Sequence, residues 1–250
     1  MAWYKTGQDA LKYADQKEQE YEERASSDRE WWQSPFARLW LPVGAEVSIT
    51  FVDGDVHPDK YALPWVVEEH QVQVNGDWKH WKTCIDGMTP RDFLPILKLS
   101  EEDPNWKEAL SQHGIDPDAP RVVCPCCKEG EKKTVVSAYT VIDHSEFTDR
   151  KGRNRSDELK LLVAKTKTFK IIRKQKEKRG VLRGLKYELS RLTKDSPNAG
   201  DSLDFIERKN LPDTIQPAPY SKVFCPSTPK EMIEYFGMGA PSYDDDDIPF

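Results

Sequence analysis

The chain has 250 residues, of which 37% are hydrophobic and 32% charged, and it carries a net charge of −6. This length suits one large domain or one domain with appendages, and the polar composition predicts tails or exposed loops. The sequence shows neither an apolar run of the roughly 20 residues needed to span a bilayer nor a secretory signal. Five cysteines, three of them within Cys124–Cys127, argue against a disulfide framework and favour a reducing cytoplasm.

Four segments are predicted as helices. Ala10–Ser26 is rich in Glu, Gln, Lys and Ala, and forms an N-terminal arm. Asp103–His113 opens with an acidic residue and a proline and closes at a glycine. Thr168–Arg179 is expected to be capped by Thr168 and stopped by Gly180, and Thr228–Phe236 has a proline in its first turn.

The strands are predicted from alternation and from β-branched content. They are Phe36–Leu41, Ala45–Val52, Leu63–Val74, Trp78–Ile85, Thr134–Ile142, Leu159–Lys167 and Gly184–Leu192. The remaining segments are expected to be irregular: a charged loop at Asp149–Asp157, a turn-rich stretch at Ser196–Asn210, a proline-rich stretch at Pro212–Pro219 and an acidic tail at Tyr243–Phe250. Short strands with turns between them predict a small barrel or sandwich.

A metal site is indicated by His70, Cys84, Cys124 and Cys127. Cys124 and Cys127 form a C-x-x-C pair, a spacing that lets two thiolates from one turn reach the same tetrahedral ion. His70 and Cys84 flank Asn75-Gly76, a hairpin signal that places His70 opposite Trp81, so a bend or bulge is needed to bring Cys84 to His70. The alternative is that the thiols are merely buried and the histidine is satisfied in the core.

The charge is unevenly distributed. Arg150–Lys194 contains 17 lysines and arginines against four acidic residues, a net charge of +13. An acidic protein with one concentrated basic segment can bind nucleic acid, because binding depends on the local field. A solvated charged face is the alternative interpretation.

The order of motifs resembles a known family. Leu39–Asp53, then the histidine hairpin and Cys84, then CPCC, then Glu131–Asp143 are similar to the single-stranded-DNA-binding proteins of T-even-type tailed bacteriophages. The resemblance implies an OB-fold barrel, mainly β with short helices, carrying an inserted zinc subdomain at about residues 68–130. It also implies one structural Zn²⁺ on the four residues above. The gap between Cys84 and Cys124 is longer than in the family, and His80 and Cys126 are the substitute ligands.

The last residues resemble a different source, the acidic C-terminal tip of bacterial single-stranded-DNA-binding proteins. That resemblance implies that the tail binds replication, recombination and repair proteins through Asp244, Asp245, Asp246, Asp247, Ile248, Pro249 and Phe250. The expected organisation is an N-terminal arm at 1–35, a DNA-binding core at 36–205, a proline-rich linker with a short helix at 206–242, and the tail at 243–250. Self-association on DNA is a further expectation from the family.

Binding of single strands without sequence preference needs cations for the phosphates and aromatic faces for the bases. The candidate cations are Lys132, Lys133, Lys151, Arg153, Arg155, Lys160, Lys165, Lys167, Lys170, Arg173, Lys174 and Arg183. The candidate stacking residues are Tyr139, Phe169 and Tyr187, and either Trp78 or Trp81 could also face the strand. Together with these features, the resemblance implies a non-enzymatic protein of phage DNA replication, recombination and repair, acting in the cytoplasm of a bacterial host.

Two other functions compete with this prediction. A zinc-ribbon regulator of transcription or replication would read duplex DNA with a recognition helix, for which Thr168–Arg179 is the one candidate. A nuclease could use Asp53, Asp55, His57 and Asp59, but a turn between strands favours Asp and Gly on conformational grounds alone.

Overall fold

The computed structural model describes residues 37–71, 73–74, 77–78, 81–148 and 154–238, with the backbone alone given for 73–74, 77–78, 147–148 and 154–155. The predicted N-terminal helix, the acidic tail, and Lys151 and Arg153 of the charged loop lie outside these residues.

The described chain is mainly β, as the sequence predicts, with few and short helices. The strands are β1 (Glu46–Phe51), β2 (Trp65–His70), β3 (Gln73–Val74), β4 (Asp77–Trp78), β5 (Lys82–Thr83), β6 (Lys133–Asp143), β7 (Phe147–Thr148), β8 (Asn154–Arg155), β9 (Glu158–Lys165), β10 (Leu185–Ser190) and β11 (Ser202–Arg208). The helices are α1 (Trp106–Gln112), α2 (Pro125–Lys128), α3 (Thr166–Arg179), α4 (Tyr220–Val223) and α5 (Pro229–Phe236), with a 3₁₀ turn at Pro90–Phe93.

Strand β6 is the centre of a seven-stranded antiparallel sheet with the order β11-β10-β1-β6-β2-β5. One edge of β6 pairs with β9 from Val136 onward. The other edge is shared, because its first half pairs with β2 and its last three residues pair with β1. The segment between β1 and β6 in sequence, which includes the four candidate ligands, is therefore joined to the sheet along one edge of β6.

The two faces of β6 and β9 are covered by different parts of the chain, because successive side chains in a strand point to opposite faces. On the inner face, Tyr139 and Leu162 pack with Ile172 of α3 in the main core. On the outer face, Ala138 and Leu161 pack with Ala218, Tyr220 and Phe224, which lie in α4 or directly beside it.

This alternation corrects the expected stacking residues. Tyr139 is 2% exposed and Tyr187 is fully buried, each with its ring edge-on to Phe51. Both tyrosines belong to the main core, so neither ring presents a free face to a base. Of the three predicted stacking residues, only Phe169 remains half-buried at the margin of this core.

A separate core forms in the segment between β5 and β6. Ile85, Phe93 and Leu110 are buried there together with Met232 and Phe236 of α5. The short helix predicted near the C-terminus is therefore present, with Thr228 at its N-cap and Pro229 in its first turn. The described part of the expected linker, residues 206–238, is not an exposed linker, because its apolar residues complete this core and the outer-face core.

Local details also differ from prediction. The turn-rich stretch Ser196–Asn210 contains the strand β11, and the predicted strand Phe36–Leu41 forms one bridge, from Arg38 to Leu161. Helix α3 begins at Thr166 with Lys165 at its N-cap, and the hydroxyl of Thr168 donates to the carbonyl of Gly200 instead of capping. Gly180 ends the helix as expected, with φ of 83°.

Candidate metal centre and cation–aromatic surface

The four predicted ligands converge. One ligand atom from each of His70, Cys84, Cys124 and Cys127 lies within 4.8 Å of all the others. The Nε2 atom of His70 is 3.5 Å from both Cys124 Sγ and Cys127 Sγ, and the sulphurs of Cys84 and Cys127 are 3.7 Å apart. The cluster can hold one metal ion.

A one-residue register shift brings His70 and Cys84 together. At the hairpin tip Gln73 pairs with Trp78, and that register would place His70 opposite Trp81. At the base of the hairpin His70 instead pairs with Lys82, and the N–H of Cys84 donates to the carbonyl of Glu68 at 2.8 Å. Because a shift of one residue exchanges the two faces of a strand, Cys84 lies on the same face as His70.

The other two ligands come from the tight turn of α2. Pro125 occupies the first helical position, where its missing N–H costs no hydrogen bond. The N–H of Asp86 donates to Cys84 Sγ at 3.4 Å, and the backbone near Cys127 and Ile85 lowers the pKa of the Cys124 thiol. These donors stabilise thiolates, the form in which cysteine binds metal.

The histidine ring is oriented by its second nitrogen. His70 Nδ1 lies 3.3 Å from the carbonyl oxygen of Lys132 and donates its proton to it in the tautomer that leaves Nε2 free for a metal. This is the usual arrangement for a metal-binding histidine.

The electrostatics of the cluster fit a cation. Burial raises the pKa of the Cys84 thiol to about 12, and it also raises the pKa of Cys127. The hydrogen-bonded thiol of Cys126 is the main reason that the pKa of Cys124 falls to about 3. A divalent cation at the centre removes the cost of bringing further thiolates together, so the donor set suits a metal better than free thiols.

The substitute ligands are not needed. Cys126 is fully buried, its thiol is hydrogen-bonded to that of Cys124, and it is not one of the four clustered residues. His80 lies outside the described residues.

A second feature lies on the outer face of the sheet, close to the metal cluster in sequence. Arg38 makes a bidentate ion pair with the buried carboxylate of Glu69. Glu69 immediately precedes His70 in the chain. The guanidinium carbon of Arg38 is 5.6 Å from the ring centroid of Trp81 and 5.8 Å from that of Phe224. Arg38 is thereby fixed against two aromatic rings.

Lys165 completes this group. Its Nζ atom lies 5.3 Å from the centroid of the Trp81 ring, and the side chain is exposed at the end of β9. Arg38, Trp81, Lys165 and Phe224 together are here called the cation–aromatic surface. Phe224 is 5% exposed, so the ring of this group that a base could reach is the half-exposed ring of Trp81. A cation beside such a ring is the combination that single strands use for phosphates and bases.

Five of the predicted DNA-contacting cations already have partners within the protein. Their contacts are Lys133 with Glu68 and Asp86, Lys160 with Asp143, Lys167 with Asp201, Arg173 with Glu177, and Arg183 with three backbone carbonyl oxygens. Lys132, Lys170 and Lys174 are exposed, and no ion pair joins them to a described residue. Arg155 is described only in its backbone.

The structure divides the basic segment between two sides of the sheet. Lys165 shares the outer face with Leu161, whereas α3, which carries Phe169, Lys170, Arg173 and Lys174, covers the inner face. Tyr139, Phe169 and Arg173 line a cavity beside α3. The predicted contacts therefore do not form one continuous groove.

The acidic turn after β1 has a structural explanation. Asp53 is buried and accepts hydrogen bonds from the N–H of Thr140 at 2.5 Å and the hydroxyl of Tyr220 at 2.9 Å. His57 is buried as well, with Nε2 2.6 Å from the carbonyl oxygen of Ala218. These contacts hold the C-terminal segment on the outer face.

Sequence reasoning missed Arg38, Glu69 and Phe224. Arg38 and Glu69 are 31 residues apart, and Phe224 lies in the segment expected to be a linker. The one available signal was Trp81, a large aromatic residue three positions before Cys84, which was left open between core and surface.

Comparison of the chain with protein-family models, with curated proteins and with solved structures found no match. Within the described residues, no helix is long and apolar enough to cross a membrane.

Proposed function

We propose that the protein binds single-stranded DNA without sequence preference, as a replication and repair protein of the tailed-phage type. The observation that carries this proposal is the half-buried ring of Trp81, whose centroid lies 5.6 Å from the guanidinium carbon of Arg38 and 5.3 Å from Nζ of Lys165. A base stacking on this ring would bring its neighbouring phosphate close to Lys165, which no ion pair joins to a described residue, whereas the charge of Arg38 is balanced by Glu69.

The proposal includes an OB-type core. Its strand and helix order matches the sequence β1, β6, β9, α3, β10 and β11. The segment between β1 and β6, which carries the four candidate ligands, is here called the metal module and is inserted into that order. OB folds bind oligonucleotides on the face of their second and third strands, here β6 and β9. The cation–aromatic surface lies at the end of that outer face.

The proposed metal is Zn²⁺ in a structural role. Three thiolates and one imidazole are a donor set that suits zinc, and four protein ligands leave no position for substrate. The ion would fix the hairpin base that carries Trp81 and Glu69, and so would hold the cation–aromatic surface in place. Partner binding by the acidic tail remains part of the proposal.

Two neighbouring lysines provide the sharpest test. Lys165 contacts Trp81, whereas Lys167 pairs with Asp201 at 2.8 Å. Changing Lys165 to Ala should flatten the slope of log affinity on log salt by about 0.7, the value for one phosphate on a single strand. Lys167→Ala should leave the slope unchanged, and equal effects of the two changes would place the strand elsewhere.

Trp81 tests the stacking contact. Trp81→Ala should weaken binding of an oligothymidylate by roughly 1–3 kcal/mol, the usual cost of losing a stacked base. Trp81→Phe keeps a ring and should recover most of the loss. Affinities measured by fluorescence anisotropy that are the same for Ala and Phe would rule out stacking on this residue.

A further inference from the structure

A cavity lies beside α3, away from the cation–aromatic surface. Its volume is about 550 Å³, within the range of ligand sites in proteins. The walls are mainly apolar and come from Leu63, Pro64, Phe169, Ile172 and Leu182. Residues of the main core form its floor, so the cavity is on the side of the sheet that α3 covers.

The polar groups at the rim of the cavity are occupied. Lys176 pairs with Asp55 at 3.4 Å, and Arg173 pairs with Glu177 at 3.0 Å. The walls thus offer little to the polar edge of a nucleobase, and burying such an edge without hydrogen bonds is costly. An apolar side chain meets no such cost.

The surroundings of the cavity are strongly basic. Helix α3 carries seven lysines and arginines and one acidic residue, Glu177. Phe169 and Arg173 of α3 line the cavity, and Lys170 and Lys174 each come one position after them in the chain. Both lysines are exposed, and no ion pair joins them to a described residue. Unpaired cations beside an apolar cavity complement an apolar group that has carboxylates on either side of it.

We propose that this cavity is a docking site for a short acidic peptide of a partner protein. A large apolar side chain of the peptide fills the cavity against Phe169 and Ile172, and its flanking carboxylates contact Lys170 and Lys174. The site is distinct from the proposed DNA surface, so a partner can be held while a single strand is bound.

The proposal can be tested by panning a display library of short random peptides over the immobilised full chain. Recovered peptides should carry a large apolar residue between aspartates or glutamates. Each is then synthesised and titrated by fluorescence anisotropy against three variants. Val181→Trp fills the cavity, Lys170→Glu with Lys174→Glu reverses the rim charge, and Lys194→Glu with Lys230→Glu makes the same charge change away from α3.

The cavity-filled and rim-reversed variants should each weaken the peptides at least about tenfold, and the control pair should change affinity by less than about twofold. The rim-reversed variant alters only exposed side chains, so its result holds even if the filled variant folds poorly. The proposal is overturned if no peptide is enriched, or if the recovered peptides bind the rim-reversed variant as tightly as the wild type. It is also overturned if the filled variant folds but loses oligothymidylate affinity while keeping peptide affinity, because the cavity would then belong to the strand.

Discussion

Asp53 is the buried carboxylate that ties the C-terminal segment to the sheet. Burial raises its pKa to about 7, although hydrogen bonds from Thr140 and Tyr220 oppose the shift. The neighbouring His57 stacks on Tyr220 with ring centroids 4.1 Å apart, and burial lowers its pKa. A protonated Asp53 and a neutral His57 are therefore the forms that the folded protein favours.

Asp53 should make stability depend on pH. Its folded pKa is above the unfolded value of about 3.9, so its contribution to stability is full below about pH 4 and is lost as the pH rises through about 7. In that window the wild type should lose up to about 1.4 kcal/mol of unfolding free energy per pH unit through this group.

The variant Asp53→Asn cannot ionise, and it should remove this part of the pH dependence while His57 contributes equally in both proteins. Urea unfolding at several pH values between about 4 and 8 measures the difference. Parallel stability–pH curves for the two proteins would show that Asp53 does not titrate as argued.

At the scale of elements, the turn of α2 and the base of the β2–β5 hairpin depend on each other through the metal. Neither piece is long enough to be stable alone, since α2 has four residues and β5 has two. The binding energy of a structural metal is also folding energy.

Two adjacent cysteines separate the ligand role from simple burial. Cys127→Ser should abolish the bound metal, lower the melting temperature and weaken single-strand binding together. Cys126→Ala removes a buried thiol outside the cluster and should keep one equivalent of metal. Elemental analysis of protein purified without chelator makes the measurement, and absence of metal from the wild type would contradict the account.

Helix α5 should contribute strongly to stability, because it closes the core of the metal module. Phe236 is 2% exposed in that core, whereas Ile233 on the same helix is 40% exposed. Phe236→Ala should cost about 3–5 kcal/mol of unfolding free energy, and Ile233→Ala less than about 1 kcal/mol. Similar costs for the two changes, measured by urea unfolding, would mean that α5 is not docked as described.

At the scale of the whole molecule, the acidic tail and the basic segment belong to one chain. The tail is predicted to compete weakly with DNA at low salt, where exposed charges are little screened. Removing Asp244–Phe250 should therefore raise single-strand affinity at low salt and abolish binding of replication or repair proteins.

Phe250→Ala leaves every aspartate in place, so it separates the two roles of the tail. It should abolish partner binding and barely change DNA affinity. Capture of the same partners by the Phe250→Ala protein would refute the role given to the tail.

The sequence predicted the positions of most strands and all four candidate ligands, because alternation and the C-x-x-C spacing are local signals. It failed where long-range packing decides. Tyr139 and Tyr187 stand at strand positions whose side chains point into the main core, because side chains alternate between the two faces of a strand. The partner of Arg38 is 31 residues away, in β2, and the apolar residues of 206–238 reach their cores only in the assembled fold.

The charge of the basic segment can be read from the sequence, but its division between two sides of the sheet cannot. Lys165 is the last residue of β9 and lies beside Trp81. Lys167, two positions later, is in the first turn of α3 and pairs with Asp201. The boundary between β9 and α3 lies between the two lysines. It separates a cation of the cation–aromatic surface from a cation that is already ion-paired.

The most direct test of the central claim compares one oligonucleotide with the same strand annealed to its complement. Titrations of the full chain by fluorescence anisotropy, at matched salt, give the two affinities. A single-strand binder should prefer the free strand by at least about tenfold and should bind unrelated sequences alike. A preference for the duplex, or for one sequence over others, would contradict the account and favour a duplex-reading regulator.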